Sequence, residues 1–279
     1  MINSMSELAN GFWENGRLSD CPILDFHAHM DSYGGGYLPK KSAEEILTTK
    51  DSTNTVLTCF CGHENLFNPA YDKERDIKVA LKYPDRYKAY FAVASKQSDV
   101  DSDLQLYDKY SEALVGFKFH NHFYKIALSD PCQNAYWEYA DRHRLFVLAH
   151  TWSGSPYNGI EEVEKILKKY PDIVFIAGHS IYGEWEGAAR LARQYPNFYL
   201  ELTAVLHLRG AVDYLVEKSG SEKILFGTDL PWFSTYHGIG ALLSAKIGDD
   251  DRRNIFYRNG QKLLKRFCWY ENLHIEEDI

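Results

Sequence analysis

Eight short apolar segments recur at intervals of about 25–33 residues, each followed by a stretch of helical character. Six of the eight close on histidine, lysine or carboxylate side chains. These observations predict an α/β chain folded as a single (β/α)8 barrel behind a short N-terminal helix. The interval matches a strand, a crossover helix and two short loops. Near-continuous apolar strands suit a parallel sheet buried on both faces. Polar strand ends are expected because such a barrel carries its chemistry on the C-terminal rim. No Pro/Ser-rich linker divides the 279 residues, so one domain over 1–279 is expected. A doubly wound open sheet is the alternative that the same alternation permits.

Taken in order, residues 3–16 read as the leading helix, with Leu8, Phe12 and Trp13 on one side. Ile23 to His29 is the first strand. In an extended chain alternate side chains share a face, so Asp25, His27 and His29 point the same way, and Asp25 is placed beneath the two imidazoles as a supporting partner. The triple glycine after Tyr33 reads as a turn or an arch over a site. Ser42 caps the next helix, and Glu45 completes a capping box. Thr55–Phe60 is the second strand, followed by a polar loop holding His63, Glu64, Asn65 and Asn68. A helix from Tyr71 to Tyr83 stops at Pro84. Tyr87–Ala94 and Leu114–His120 are strands, separated by a helix over Asp101–Tyr110. Pro131 opens the helix Cys132–His143, where its missing N–H does no harm. The remaining strands are Leu145–His150, Ile173–His179, Phe198–Leu202 and Lys223–Asp229, with helices at 160–170, 185–195, 209–218 and 250–266.

Composition narrows the function. A net charge of −8 opposes a nucleic-acid surface or an anionic membrane surface, and no apolar run reaches the ~20 residues of a membrane span. The five cysteines form no CxxC pair or framework, and residues 1–10 lack the features of a signal peptide. A cytoplasmic chain with reduced thiols is therefore expected. Its expected partner is a small-molecule substrate, with self-association into a homo-oligomer left open.

Buried apolar strands have no packing reason to finish repeatedly on imidazole or carboxylate. Here they end on His27 and His29, Lys118 and His120, His150, His179, Glu201 and Asp229. A lone buried histidine is ordinarily a hydrogen-bonded core residue; several converging on one rim point to a shared metal ion.

The segments "LDFHAH", "VLAHT", "FIAGHS" and "ILFGTDLPW", in that order, resemble the amidohydrolase superfamily, and within it the amidohydrolase-2 family of metal-dependent barrel hydrolases and decarboxylases. "YPDRYKAYFAVA", "GFKFH" and "NIFYRNGQKLL" extend the resemblance over nearly the whole chain. The resemblance implies His27, His29, His150 and Asp229 as metal ligands, and Asp229 with His179 as the catalytic pair. Three imidazoles and a carboxylate suit one zinc ion, and manganese or iron tolerates the same donors. Lys118 is expected to bind a substrate anion or form an ion pair; a carboxylated Lys118 bridging two metals is the alternative. His120, Glu201, Trp152 and Tyr33 are the further candidates for substrate contact, with His63, Trp232 and His237 as possible pocket walls and His122 open between pocket and solvent.

The implied reaction is hydrolysis of an ester, lactone or amide by metal-activated water, with Asp229 shuttling the proton. Non-oxidative decarboxylation of an aromatic or unsaturated acid is the alternative on the same ligands. A non-catalytic barrel binding a metal or metabolite is the alternative from another class.

Overall fold

The computed structural model describes residues 6–273. Residues 3–5 of the expected leading helix, and the outermost residues of the expected 1–279 domain, lie outside the described residues. Within them, eight parallel strands run in sequential order around a barrel: β1 Ile23–Met30, β2 Thr55–Gly62, β3 Tyr87–Val93, β4 Leu114–Phe119, β5 Phe146–Trp152, β6 Val174–Tyr182, β7 Phe198–Glu201 and β8 Ile224–Leu225. Helices alternate with them, among others Ala43–Thr53, Glu74–Lys82, Val100–Lys109, Asn134–Arg142, Ile160–Lys169, Trp185–Gln194 and Ala211–Ser219. The (β/α)8 expectation is met, with the short leading helix at Glu7–Asn15.

Local sequence explains several boundaries. Ser42 caps its helix and Glu45 returns the bond, as the capping box requires; Asn54 ends that helix in the left-handed conformation. Every residue of β1 is buried, as are those of β3 and β4; β3 and β4 accordingly read as mostly apolar runs, while in β1 the alternating Asp25, His27 and His29 are buried as well. Aromatic rings fill the layer between strands and helices. Trp137, fully buried, stacks on Phe119 at 4.4 Å and donates its indole N–H to Leu128 C=O.

β8 departs from expectation. Its ladder with β7 holds only Ile224 and Leu225, whereas Lys223–Asp229 was expected as strand. The following residues turn their backbone groups onto β1: Phe26 N–H donates to Phe226 C=O at 2.9 Å, and His29 N–H to Leu230 C=O at 2.6 Å. His27 C=O accepts from both Thr228 and Asp229 N–H, at 3.2 and 2.7 Å. One carbonyl serving two successive amides is not a strand ladder, yet it closes the barrel.

Two helices occupy expected loops. Thr235–Ser244 buries Ile239, Leu242 and Leu243, and His63–Phe67 is a single helical turn after β2. Among the described residues no helix is long and apolar enough to cross a membrane.

Candidate active site

The C-terminal ends of the strands surround a cavity of about 250 Å³ walled by His27, His29, Tyr33, His63, Phe67, Lys118, His120, His150, His179, Asp229, Trp232 and Phe233. At its floor His27 Nε2 lies 3.6 Å and His29 Nε2 3.2 Å from Asp229 Oδ1. The opposite edge of each ring is held by protein. His27 Nδ1 is 2.7 Å from Glu201 Oε2, and His29 Nδ1 is 2.8 Å from Cys61 C=O. The Cys61 carbonyl has no proton to give, and the Lys118 ammonium beside His27 Nε2 can only donate, so each Nδ1 donates and each Nε2 presents a bare lone pair. Lone pairs aimed at a carboxylate oxygen repel one another unless a cation lies among them. Lys118 Nζ, 2.7 Å from His27 Nε2, relieves part of that repulsion. The donor set therefore fits a divalent cation, and ligand atoms of His27, His29 and Asp229 all fall within 4.8 Å of one another.

Electrostatics agree. Burial, with the Lys118 charge, holds His27 neutral, its pKa well below the ordinary imidazole value. Burial, with His120 and His179, does the same for His150. Burial alone would raise Asp229, but its place among the imidazoles of His27, His29 and His179 outweighs that and keeps the carboxylate ionised. Burial pushes Lys118 down to about 8.

His150 stands one ring away from this floor. Its Nδ1 is 3.0 Å from His179 Nε2, and its backbone C=O accepts from Asn158. His120 stacks on His150 at 4.3 Å, and Trp152 stacks on it at 5.7 Å. His179 is held from behind by Thr203, whose Oγ1 lies 2.5 Å from Nδ1. His179, Ser180 and Ile181 all have positive φ (66°, 53° and 51°), a left-handed run that side chains other than glycine seldom adopt. Thr151 and Ser180 brace this run: Thr151 Oγ1 donates to Gly178 C=O and accepts from Ile181 N–H, while Ser180 Oγ donates to Glu201 C=O.

On the other wall, His63 stacks on His29 at 4.7 Å, and Trp232 Nε1–H donates to His63 Nε2 at 2.8 Å. Tyr33 packs edge-on against Trp232. The loop carrying Tyr33 is pinned at its neck by Asp31 N–H donating to Lys41 C=O and by the Asp31–Arg75 ion pair.

Several expectations need correction. Asp25 does not touch the imidazoles; its oxygens accept from the Thr228 hydroxyl (2.6 Å) and from the N–H groups of Thr228 and His27, so it fastens β1 to the β8 segment. Glu201 leaves the set of substrate contacts: it is fully buried behind His27 with both oxygens engaged by protein donors. Trp152 stands partly exposed on the rim, its ring against His150, His179 and Tyr182. His237 pairs with His207 away from the cavity wall, and His122 packs on Tyr157. Lys118, His120 and Tyr33 do line the cavity. Thr203 and Phe67 escaped the sequence reading. Phe67 sits in a helical turn too short to show periodicity, and Thr203 lies just past a strand end, where a hydroxyl carries no distinguishing pattern.

A family profile described as Amidohydrolase matches residues 62–266. No curated protein sequence matches the chain. Among solved structures, the fold is similar to that of an uncharacterized TIM-barrel protein from Bordetella bronchiseptica, at 17% identity and TM-score 0.73, covering 88% of this chain and 99% of the other. It is also similar to 5-carboxyvanillate decarboxylase from Novosphingobium aromaticivorans, complexed with manganese and 4-hydroxy-3-methoxy-5-nitrobenzoic acid (11% identity, TM-score 0.68, 88% and 96% covered). A third is 2,6-dihydroxybenzoate decarboxylase from Rhizobium (15% identity, TM-score 0.66, 88% and 99% covered). At these identities the likeness is one of fold.

Proposed function

Since the chain belongs to the amidohydrolase family, we propose that it is a metal-dependent hydrolase cleaving an ester, lactone or amide bond of a small carboxylate-bearing molecule. The observation that carries this reading is the convergence of His27 Nε2, His29 Nε2 and Asp229 Oδ1 at the floor of a walled cavity. His27, His29, Asp229 and, from the neighbouring ring, His150 are the proposed ligands of one divalent ion. Zinc suits these donors, and manganese or iron is accommodated by them. When bound, such an ion supplies Lewis acidity and lowers the pKa of water toward about 7.

The chain's own groups do the rest. Asp229 is ionised and takes a proton from the attacking water at a carboxylate oxygen, then returns it to the leaving group. His179, kept neutral by burial that lowers its pKa to about 4, is the second group placed to move a proton. Lys118 supplies positive charge beside His27 for a substrate carboxylate. The rings of Tyr33, His63, Phe67 and Trp232 wall the cavity and restrict water.

That aromatic wall favours one second reading, decarboxylation of a flat unsaturated acid. The similar folds include decarboxylases of aromatic acids. Asp229 would then deliver the proton that replaces CO2.

The test is elemental analysis of purified protein, followed by assays on paired panels of lactones and aryl carboxylates. The expectation is close to one metal equivalent, lost in His29→Ala, and lactone turnover abolished in Asp229→Asn with the fold intact. Release of CO2 without addition of water would replace hydrolysis by decarboxylation. A metal-loaded protein inert on both panels would point to a binding barrel.

A further inference from the structure

We propose that Glu201 and Thr203 are positioning residues that set the tautomers of three imidazoles from one carboxylate, with the Thr203 hydroxyl as the joint on which His179 and His150 turn together. The geometry stands independently of the enzymatic reading; only its consequence for metal binding rests on that reading.

Glu201 ends β7 and is ringed by donors. Its Oε1 accepts from Thr203 N–H at 2.7 Å. Its Oε2 faces His27 Nδ1 at 2.7 Å, Thr203 Oγ1 at 3.1 Å and His179 N–H at 3.2 Å. The Lys118 ammonium can only donate to His27 Nε2, 2.7 Å away, so His27 carries its proton on Nδ1 and gives it to Glu201. Three N–H donors, from His27, His179 and Thr203, then converge on Glu201 and hold it ionised against the burial that pushes its pKa up to about 7. The Thr203 hydroxyl has one proton and two neighbours, Glu201 Oε2 and His179 Nδ1. Aimed at His179, it would leave its oxygen facing a buried carboxylate oxygen with lone pairs on both sides. Aimed at Glu201, it forms a charge-assisted bond, and its oxygen then accepts from His179 Nδ1–H. His179 Nε2 is consequently bare. His150 Nδ1, 3.0 Å away, must donate to it, which leaves His150 Nε2 bare as well.

Each assignment forces the next. The result is that His27 and His150 both keep Nε2 unprotonated, the form in which an imidazole binds a cation. His179 likewise begins as a proton acceptor rather than a donor. His29 lies outside the chain of bonds, because Cys61 C=O fixes it separately. It is an internal control.

The test is nitrogen NMR of the full-length protein labelled with 15N-histidine, in which protonated and bare ring nitrogens resonate far apart. Wild type is expected to show Nδ1 protonated on His27, His29, His150 and His179. In Thr203→Val the acceptor for His179 Nδ1–H becomes a methyl group. His179 and His150 are then expected to move their protons to Nε2 together, while His27 and His29 stay unchanged. Thr203→Ser should restore the wild-type pattern, and Thr203→Ala should repeat the change without added bulk. Zinc affinity, measured by competition with a chelator, should fall about tenfold or more in Thr203→Val. Unchanged nitrogens on His179 and His150 in both Thr203→Val and Thr203→Ala would overturn the proposal, as would a bare His150 Nδ1 in wild type. The expected nitrogens in a protein that binds no zinc would instead overturn the metal-centre reading and leave the relay standing.

Discussion

Asp76 illustrates how one buried side chain ties pH to stability. Its carboxylate accepts from Gly62 N–H at 2.7 Å, at the end of β2 and beside the cavity wall. Burial raises its pKa to about 6, against the hydrogen bonds from Asn65 and Gly62. Because the folded value lies above the unfolded one, the folded chain keeps this proton to higher pH. The contribution of Asp76 is complete below about pH 4 and is lost as pH rises through about 6. Asp76→Asn removes that dependence, and its amide can serve Asn65 Oδ1, which has no hydrogen-bond partner. Chemical denaturation should show the variant gaining about 1–3 kcal/mol on wild type between pH 4 and pH 7. At this scale the sequence was legible where two imidazoles alternate on one buried strand, as at His27 and His29, and where the family resemblance marks a carboxylate, as at Asp229 beyond the end of β8. It was not legible where a side chain acts through a neighbour. Glu201 looks like any carboxylate at a strand end, and only its hydrogen bonds separate a support for His27 from a substrate contact.

Among the elements, β4 shows how little tolerance lies behind the rim. Gly116 sits two residues before Lys118 with φ of 151°, and a Cβ there would fall 1.7 Å from Phe146 C=O on β5. Gly116→Ala should therefore cost at least about 3 kcal/mol, by forcing β4 and β5 apart. A near-normal denaturation midpoint would refute this. The strands were readable because their apolar runs are bounded by turn residues and recur at an even interval. The helix Thr235–Ser244 was hidden for two reasons. Its Ser234 makes no capping hydrogen bond, and Gly238 and Gly240 within it argue locally for a loop. Packing of Ile239, Leu242 and Leu243 against the barrel overrides that local preference. β8 was over-extended for the converse reason: the apolar run Ile224–Phe226 reads as a strand that carries on to Asp229, and only the doubled bond to His27 C=O reveals the different path of the residues after it.

Over the whole molecule, barrel closure and site assembly are one event. The seam between β1 and the segment after β8 is made by the backbones of Phe26, His27 and His29 on one side and of Phe226, Thr228, Asp229 and Leu230 on the other. The Thr228 hydroxyl on Asp25 fastens it from within. Thr228→Val leaves a buried carboxyl oxygen without its donor and should lower stability by about 1–3 kcal/mol. The same substitution should weaken metal retention, read by elemental analysis after dialysis; full retention alongside lost stability would separate the two. Every proposed ligand except His150 is carried by residues that stitch this seam. Any ion gripped there would act as a clasp on the one place where first and last strands meet, so its departure would loosen the closure between the two ends of the sheet before any helix had to move.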